Sequence, residues 1–122
     1  MNLEWRAQLE AAGVDVGQAL ARMMGSEALL ERLLGKFLEE PNYTALCAAL
    51  ERGEPEAAAA AAHGLKGACG NLSMTALYGL FTRQVDALRA GELAEAERLM
   101  EEIAPAYAAV TAAIRGGADG AR

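Results

Sequence analysis

The single histidine of the chain, His63, has lysine three residues later and glycine directly after that lysine, within the run "AAAAAAHGLKGACGN" at 57–71. A neutral imidazole nitrogen is a competent nucleophile near pH 7. On a helix the residue at i+3 lies one turn away on the same face, so Lys66 can bring an ammonium close to an anion carried on the ring. Gly67, at i+4, lacks the Cβ that would obstruct an incoming group. Together the three residues fit a histidine that is approached by something bulky and must carry negative charge.

These residues need a helix to position them, and the local sequence is divided on that point. Six alanines favour helix, whereas Gly64, Gly67 and Gly70 give up roughly 2 to 3 kcal/mol relative to alanine. At about 100° per residue, Ala58, Ala61, Ala62, Leu65, Ala68, Cys69 and Leu72 gather on one face and His63 falls nearly opposite. His63 is therefore expected to face solvent among Glu56, Ala59, Ala60, Lys66, Gly67 and Gly70, and site access then accounts for the lost helix propensity. The competing expectation is a helix packed through its glycine face. That would bury His63 and Lys66 with no acidic partner except Glu56, a costly burial.

The surrounding chain reads as helices with legible punctuation. Asp15 and Gln18 resemble a capping box before a short helix at 16–24, whose apolar positions are Val16, Ala19, Leu20, Met23 and Met24. Ser26 caps a second helix with Leu29, Leu30, Leu33, Leu34, Phe37 and Leu38, which stops near Glu40 because Pro41 disfavours helical geometry in the residue before it. Tyr43, Leu46, Cys47 and Leu50 continue as a third piece, closed by Gly53. Pro55 fits the first position of the helix that carries His63. Ser73 is the expected N-cap of the next, with apolar positions Leu77, Leu80, Phe81, Val85 and Leu88, ended by Gly91. The last helix runs from about Glu92 to about Arg115, kinked but not ended by Pro105.

The expected fold is all-α. It is an antiparallel four-helix bundle of residues 26–52 (broken near Pro41), 55–72, 74–90 and 92–115, with the helix at 16–24 covering one end. Residues 1–13 form an N-terminal lead-in, 14–115 the domain and 116–122 a disordered tail.

Composition narrows the function classes. With 11 basic and 17 acidic residues the net charge is −6, which disfavours nucleic acid, whose binders need a basic face. The absence of an apolar run near membrane-spanning length, the two cysteines and the N-terminal "MNLEWRAQLE" lead to the expectation of a reduced cytoplasmic protein with no membrane partner. One histidine with two separated cysteines makes no zinc ligand set, and no metal site is expected. The chain has no nucleotide-binding glycine loop, so autokinase activity is not expected either.

"AHGLKGACGNL", with "FLEEPNYTALCAALERGEPEAAAAAAHGLKG" upstream, resembles the histidine-containing phosphotransfer (HPt) domains of multistep phosphorelays, and the layout is similar over roughly residues 14 to 115. The resemblance implies a phosphocarrier in two-component signal transduction rather than an independent enzyme. It assigns the phosphorylated histidine to His63, the charge-stabilising lysine to Lys66 and the clearing glycine to Gly67. Members often place a polar residue, frequently glutamine, on the following helix to orient the imidazole. Gln84 is the candidate here, with Val85 as the rival position one register away. Gly64 departs from the family, many members having a polar or β-branched residue directly after the histidine. The implied partners are response-regulator receiver domains and a hybrid sensor histidine kinase, with Mg²⁺ supplied by the receiver. A partly apolar rim for receiver docking is expected from Met23, Met24, Phe37 and Leu38, with Gly70 beside it. Two alternatives remain open from the residues themselves: a bundle of the same fold that binds receivers or other proteins without accepting phosphate, and a plain structural bundle.

Overall fold

A computed structural model describes the backbone of residues 1–120 and the side chains of residues 1–117. The described residues form seven helices: α1 (Leu3–Ala11), α2 (Val16–Arg22), α3 (Glu27–Phe37), α4 (Asn42–Glu51), α5 (Pro55–Asn71), α6 (Thr75–Arg89) and α7 (Leu93–Gly120). No strand is present among them, only an isolated bridge between Val14 and Met74.

Most boundaries follow from local chemistry. Asp15 accepts from the Gln18 amide at 3.0 Å and Ser26 from the Leu29 amide at 3.2 Å, so each satisfies one of the free N–H groups that open α2 and α3. Pro41 separates α3 from α4, and Pro55 occupies the first turn of α5. Gly53 and Gly91 take positive φ directly after α4 and α6, a conformation glycine reaches without strain. Ser73 is not the N-cap of α6. Met74 holds that position without a side-chain hydrogen bond, while Ser73 has φ +53° and a buried Oγ with no partner.

The last four helices close on themselves. Three-residue links join α4 to α5, α5 to α6 and α6 to α7, and each consecutive pair packs together, as short links require of antiparallel neighbours. The ring is completed between α4 and α7, where Tyr43 and Tyr107 stack with centroids 3.9 Å apart, and Phe37 of α3 meets Tyr107 at 5.4 Å. Helix α5 lies between α4 and α6 and contributes Ala58, Ala61, Ala62, Leu65 and Cys69 to a core shared with Leu46, Leu77, Phe81, Val85 and Ile103.

Both ends of the chain depart from expectation. Residues 3–11 are helical, and α1 packs on α7, with Trp5 Nε1 donating to the Ala113 carbonyl at 2.8 Å. Helix α7 continues past Arg115 to Gly120, so the tail expected to be disordered is helical as far as it is described, and residues 121–122 lie outside the described residues. Gly117 explains the extension: a Cβ there would overlap the Trp5 indole, so glycine lets the ring lie against the helix backbone. Pro105 sits inside α7, which runs on through it.

Substitution Gly117→Ala is therefore expected to destabilise the protein by about 1 to 3 kcal/mol, as overpacking does, despite alanine's better helix propensity. Urea melts followed by Trp5 fluorescence test this. An unchanged midpoint and emission maximum would contradict the packing described.

Candidate functional site

Helix α5 presents His63 as the solvent-facing wheel requires: His63 is exposed, the flanking Ala61, Ala62 and Leu65 are buried, and the imidazole makes no hydrogen bond among the described residues. The packed-glycine-face alternative fails on this point. Cys69, another nucleophilic residue type on α5, is buried on the core face with its thiol pushed up to about 12, chiefly by burial, so it offers no thiolate near neutral pH.

The three glycines have three different surroundings. A Cβ on Gly64 would lie 2.6 Å from Asn42 Nδ2, so this glycine makes room for the Asn42 side chain from the start of α4. A Cβ on Gly70 would lie 3.2 Å from Cδ2 and Cε2 of Tyr78, so it seats that ring. A Cβ on Gly67 would meet nothing within 4 Å. Only Gly67, one turn beyond His63, opens onto free space, and the lost helix propensity is thus shared between packing at Gly64 and Gly70 and access at Gly67.

Lys66 is half-buried, and its Nζ lies 5.7 Å from the centroid of the Tyr78 ring. It forms no ion pair among the described residues. A cavity of about 420 Å³ adjoins it, lined among others by Gln18 and Arg22 of α2, Lys66, Gly67 and Gly70 of α5, and Tyr78 of α6. Among the described residues, Lys66 and Arg22 are the only charged ones in that lining.

Several expected site residues lie elsewhere. Gln84 is fully buried and turned towards α7, where its Nε2 donates to the Ala96 carbonyl at 3.0 Å and approaches Met100 Sδ at 3.3 Å. Its amide nitrogen is committed to bundle packing, its Oε1 is buried without a partner, and neither atom is bonded to the imidazole. Val85, the rival position, is a buried core residue. Met23 and Phe37 are buried as well, Phe37 against Tyr107, so neither belongs to a docking rim. Leu38 lines a separate groove with Met1, Trp5 and Ile114 at the α1–α7 contact. Met24 alone of the four is open, 97% exposed at φ +55°. Tyr78 and Arg22 were not singled out from sequence. Tyr78 stands outside the apolar stripe of α6, and the only signal for it was the glycine at 70 that its ring requires.

The family model of the Hpt domain matches residues 32–113, more than half of the 122-residue chain. The chain belongs to the Hpt domain family. No curated protein and no solved structure is similar enough to match. The Hpt match takes in α4, α5 and α6 whole, with His63, Lys66, Gly67 and Tyr78, while α1, α2 and the opening of α3 lie before it. Hpt domains are helical phosphotransfer carriers and not kinases. Among the described residues of this Hpt domain, no group of three His, Cys, Asp or Glu is placed to hold a metal ion and no helix is long and apolar enough to cross a membrane.

Because Gly67 faces open space, Gly67→Leu is expected to gain most of the difference in helix propensity, about 0.5 to 1 kcal/mol in a urea melt. A loss of stability on that substitution would show that the surface over Gly67 is packed rather than open.

Proposed function

We propose that the protein is a phosphocarrier of a multistep phosphorelay, with His63 accepting a phosphoryl group from the aspartate of one receiver domain and donating it to another. One observation carries this reading: an exposed histidine at the middle of a helix packed between two others, with empty space over the glycine one turn on and, among the described residues, a lysine without an ion pair one turn along.

The chemistry is a reversible in-line displacement at phosphorus. The lone pair of the unprotonated imidazole nitrogen forms the N–P bond and the P–O bond to the receiver aspartate breaks. Its electron pair stays on the carboxylate, and the ring N–H proton stays on the other nitrogen. The bundle supplies position, since α5 is held on both sides by α4 and α6. Lys66 supplies positive charge near the phosphoryl oxygens, and Gly67 leaves room for the receiver. Mg²⁺ comes with the receiver, where it neutralises charge on the phosphoryl group.

Docking uses the surface around His63. Met24, two residues beyond Arg22 of the cavity lining, is the apolar contributor of this proposal: a methionine held at positive φ and almost wholly exposed is out of place for stability and suited to a partner surface. Arg22 and Lys66 make this edge positive within a chain of net charge −6, which favours an acidic partner surface. The partners are response-regulator receivers and a hybrid sensor histidine kinase, in the cytoplasm.

The test is phosphorylation by receiver domains charged with acetyl phosphate. The wild type is expected to acquire acid-labile phosphate on His63. His63→Gln should abolish the labelling with a stability change below about 0.5 kcal/mol, as for an exposed position, and Lys66→Ala should slow transfer without unfolding. Full labelling of His63→Gln would end the phosphocarrier reading. Receiver binding without any labelling of the wild type would leave an interaction module in its place.

A further inference from the structure

The Lys66 ammonium stands 5.7 Å from the centroid of the Tyr78 ring, within the range over which an aromatic face attracts a cation. Two features place that ring. Tyr78 lies in the first turn of α6, its amide bonded to the Met74 carbonyl at 2.8 Å. Gly70 lies beneath it on α5, where any Cβ would come within 3.2 Å of the ring's Cδ2 and Cε2. A Cβ at position 70 would require the ring to give by a few tenths of an ångström, so glycine there lets the ring lie close against α5, on the side where the Lys66 ammonium approaches it.

The kind of hold decides what it is for. A carboxylate in the ring's place would also hold Lys66, but its charge would cancel the ammonium's field at any anion nearby. An aromatic ring attracts the cation through its quadrupole and adds no net charge. Lys66 has no ion pair among the described residues, so its charge remains available. Tyr78 is 42% exposed while its neighbours Leu77 and Phe81 are buried, so the ring is not needed to fill the core.

We propose that Tyr78 is a positioning residue for phosphoryl transfer: its ring holds the Lys66 ammonium, with its charge uncancelled, on the open side of α5 beside Gly67. This rests on the reading of His63 as phosphoacceptor and of Lys66 as its charge-stabilising neighbour.

The test compares wild type, Tyr78→Phe and Tyr78→Leu, each with Lys66 present and with Lys66→Ala, after urea melts have shown all of them folded. In the unphosphorylated protein, NMR of the Lys66 side-chain methylenes should show ring-current displacement in wild type and Tyr78→Phe, and none in Tyr78→Leu. Transfer from a charged receiver to His63 should slow by about two- to fivefold in Tyr78→Leu and stay at the wild-type rate in Tyr78→Phe. In the Lys66→Ala background, Tyr78→Leu should make no further difference. Absence of the ring-current displacement in wild type would overturn the proposal. So would a slowing of equal size with and without Lys66, which would mean that the ring acts by touching the receiver. Failure of the wild type to take phosphate on His63 would overturn the underlying reading instead, and the NMR comparison would still judge whether the ring holds the lysine.

Discussion

The close approach of α4 and α6 to the alanine face of α5 is the constraint on which the site depends. Ala58, Ala61 and Ala62 are buried and small, so the neighbouring helices come near enough for Asn42 to lie against Gly64 and Tyr78 against Gly70. Larger residues on that face would move the neighbours outward, and the borders of the exposed strip would move with them. The price of this closeness is modest apolar area from each alanine, offset by Leu65, Phe81, Leu46 and Ile103, which fill the rest of the bundle.

Much of this was legible from residues alone. Asp15, Ser26, Pro41, Pro55, Gly53 and Gly91 each act on the backbone within a few residues, so their consequences were readable locally. The exposure of His63 followed from the period of buried positions on α5, a property of one helix. The misses share the opposite character. The helical tail depends on Trp5, more than a hundred residues away, whose ring turns a locally unfavourable glycine into the only residue that fits at 117. Gln84 lies on the buried stripe of α6, and its meeting with Ala96 and Met100 instead of His63 depends on how α6 is rotated between α5 and α7. Met23 and Phe37 sit on apolar stripes as surely as any rim residue would, and only the placement of α2 and α3 against the bundle turns them inward.

Charge is distributed along the same lines. The acidic excess of the chain is spread over exposed helix faces, where it favours solubility, whereas the cavity at the edge of the site holds Arg22 and Lys66 and no carboxylate in its lining. A local reversal of sign needs only two residues where no carboxylate shares the lining, because fields between exposed charges are largely screened only beyond about 10 Å and the nearest charges therefore count most.

Viewed down its axis, α5 gives the three glycines a further meaning. A spacing of three residues turns the helix by about 300°, so successive glycines fall roughly 60° apart and fan across about 120° of the circumference. Gly64 marks the bearing of α4 and Gly70 that of Tyr78, with Gly67 between them. His63 lies about 40° from Gly67 on the same helix, inside this arc. The arc is an angular window with a packed jamb on either side and an empty sill in the middle. Its width is set by glycine spacing along one helix and by a side chain from each of the two neighbours, so the angle from which a visitor can reach the imidazole is written into α5 itself.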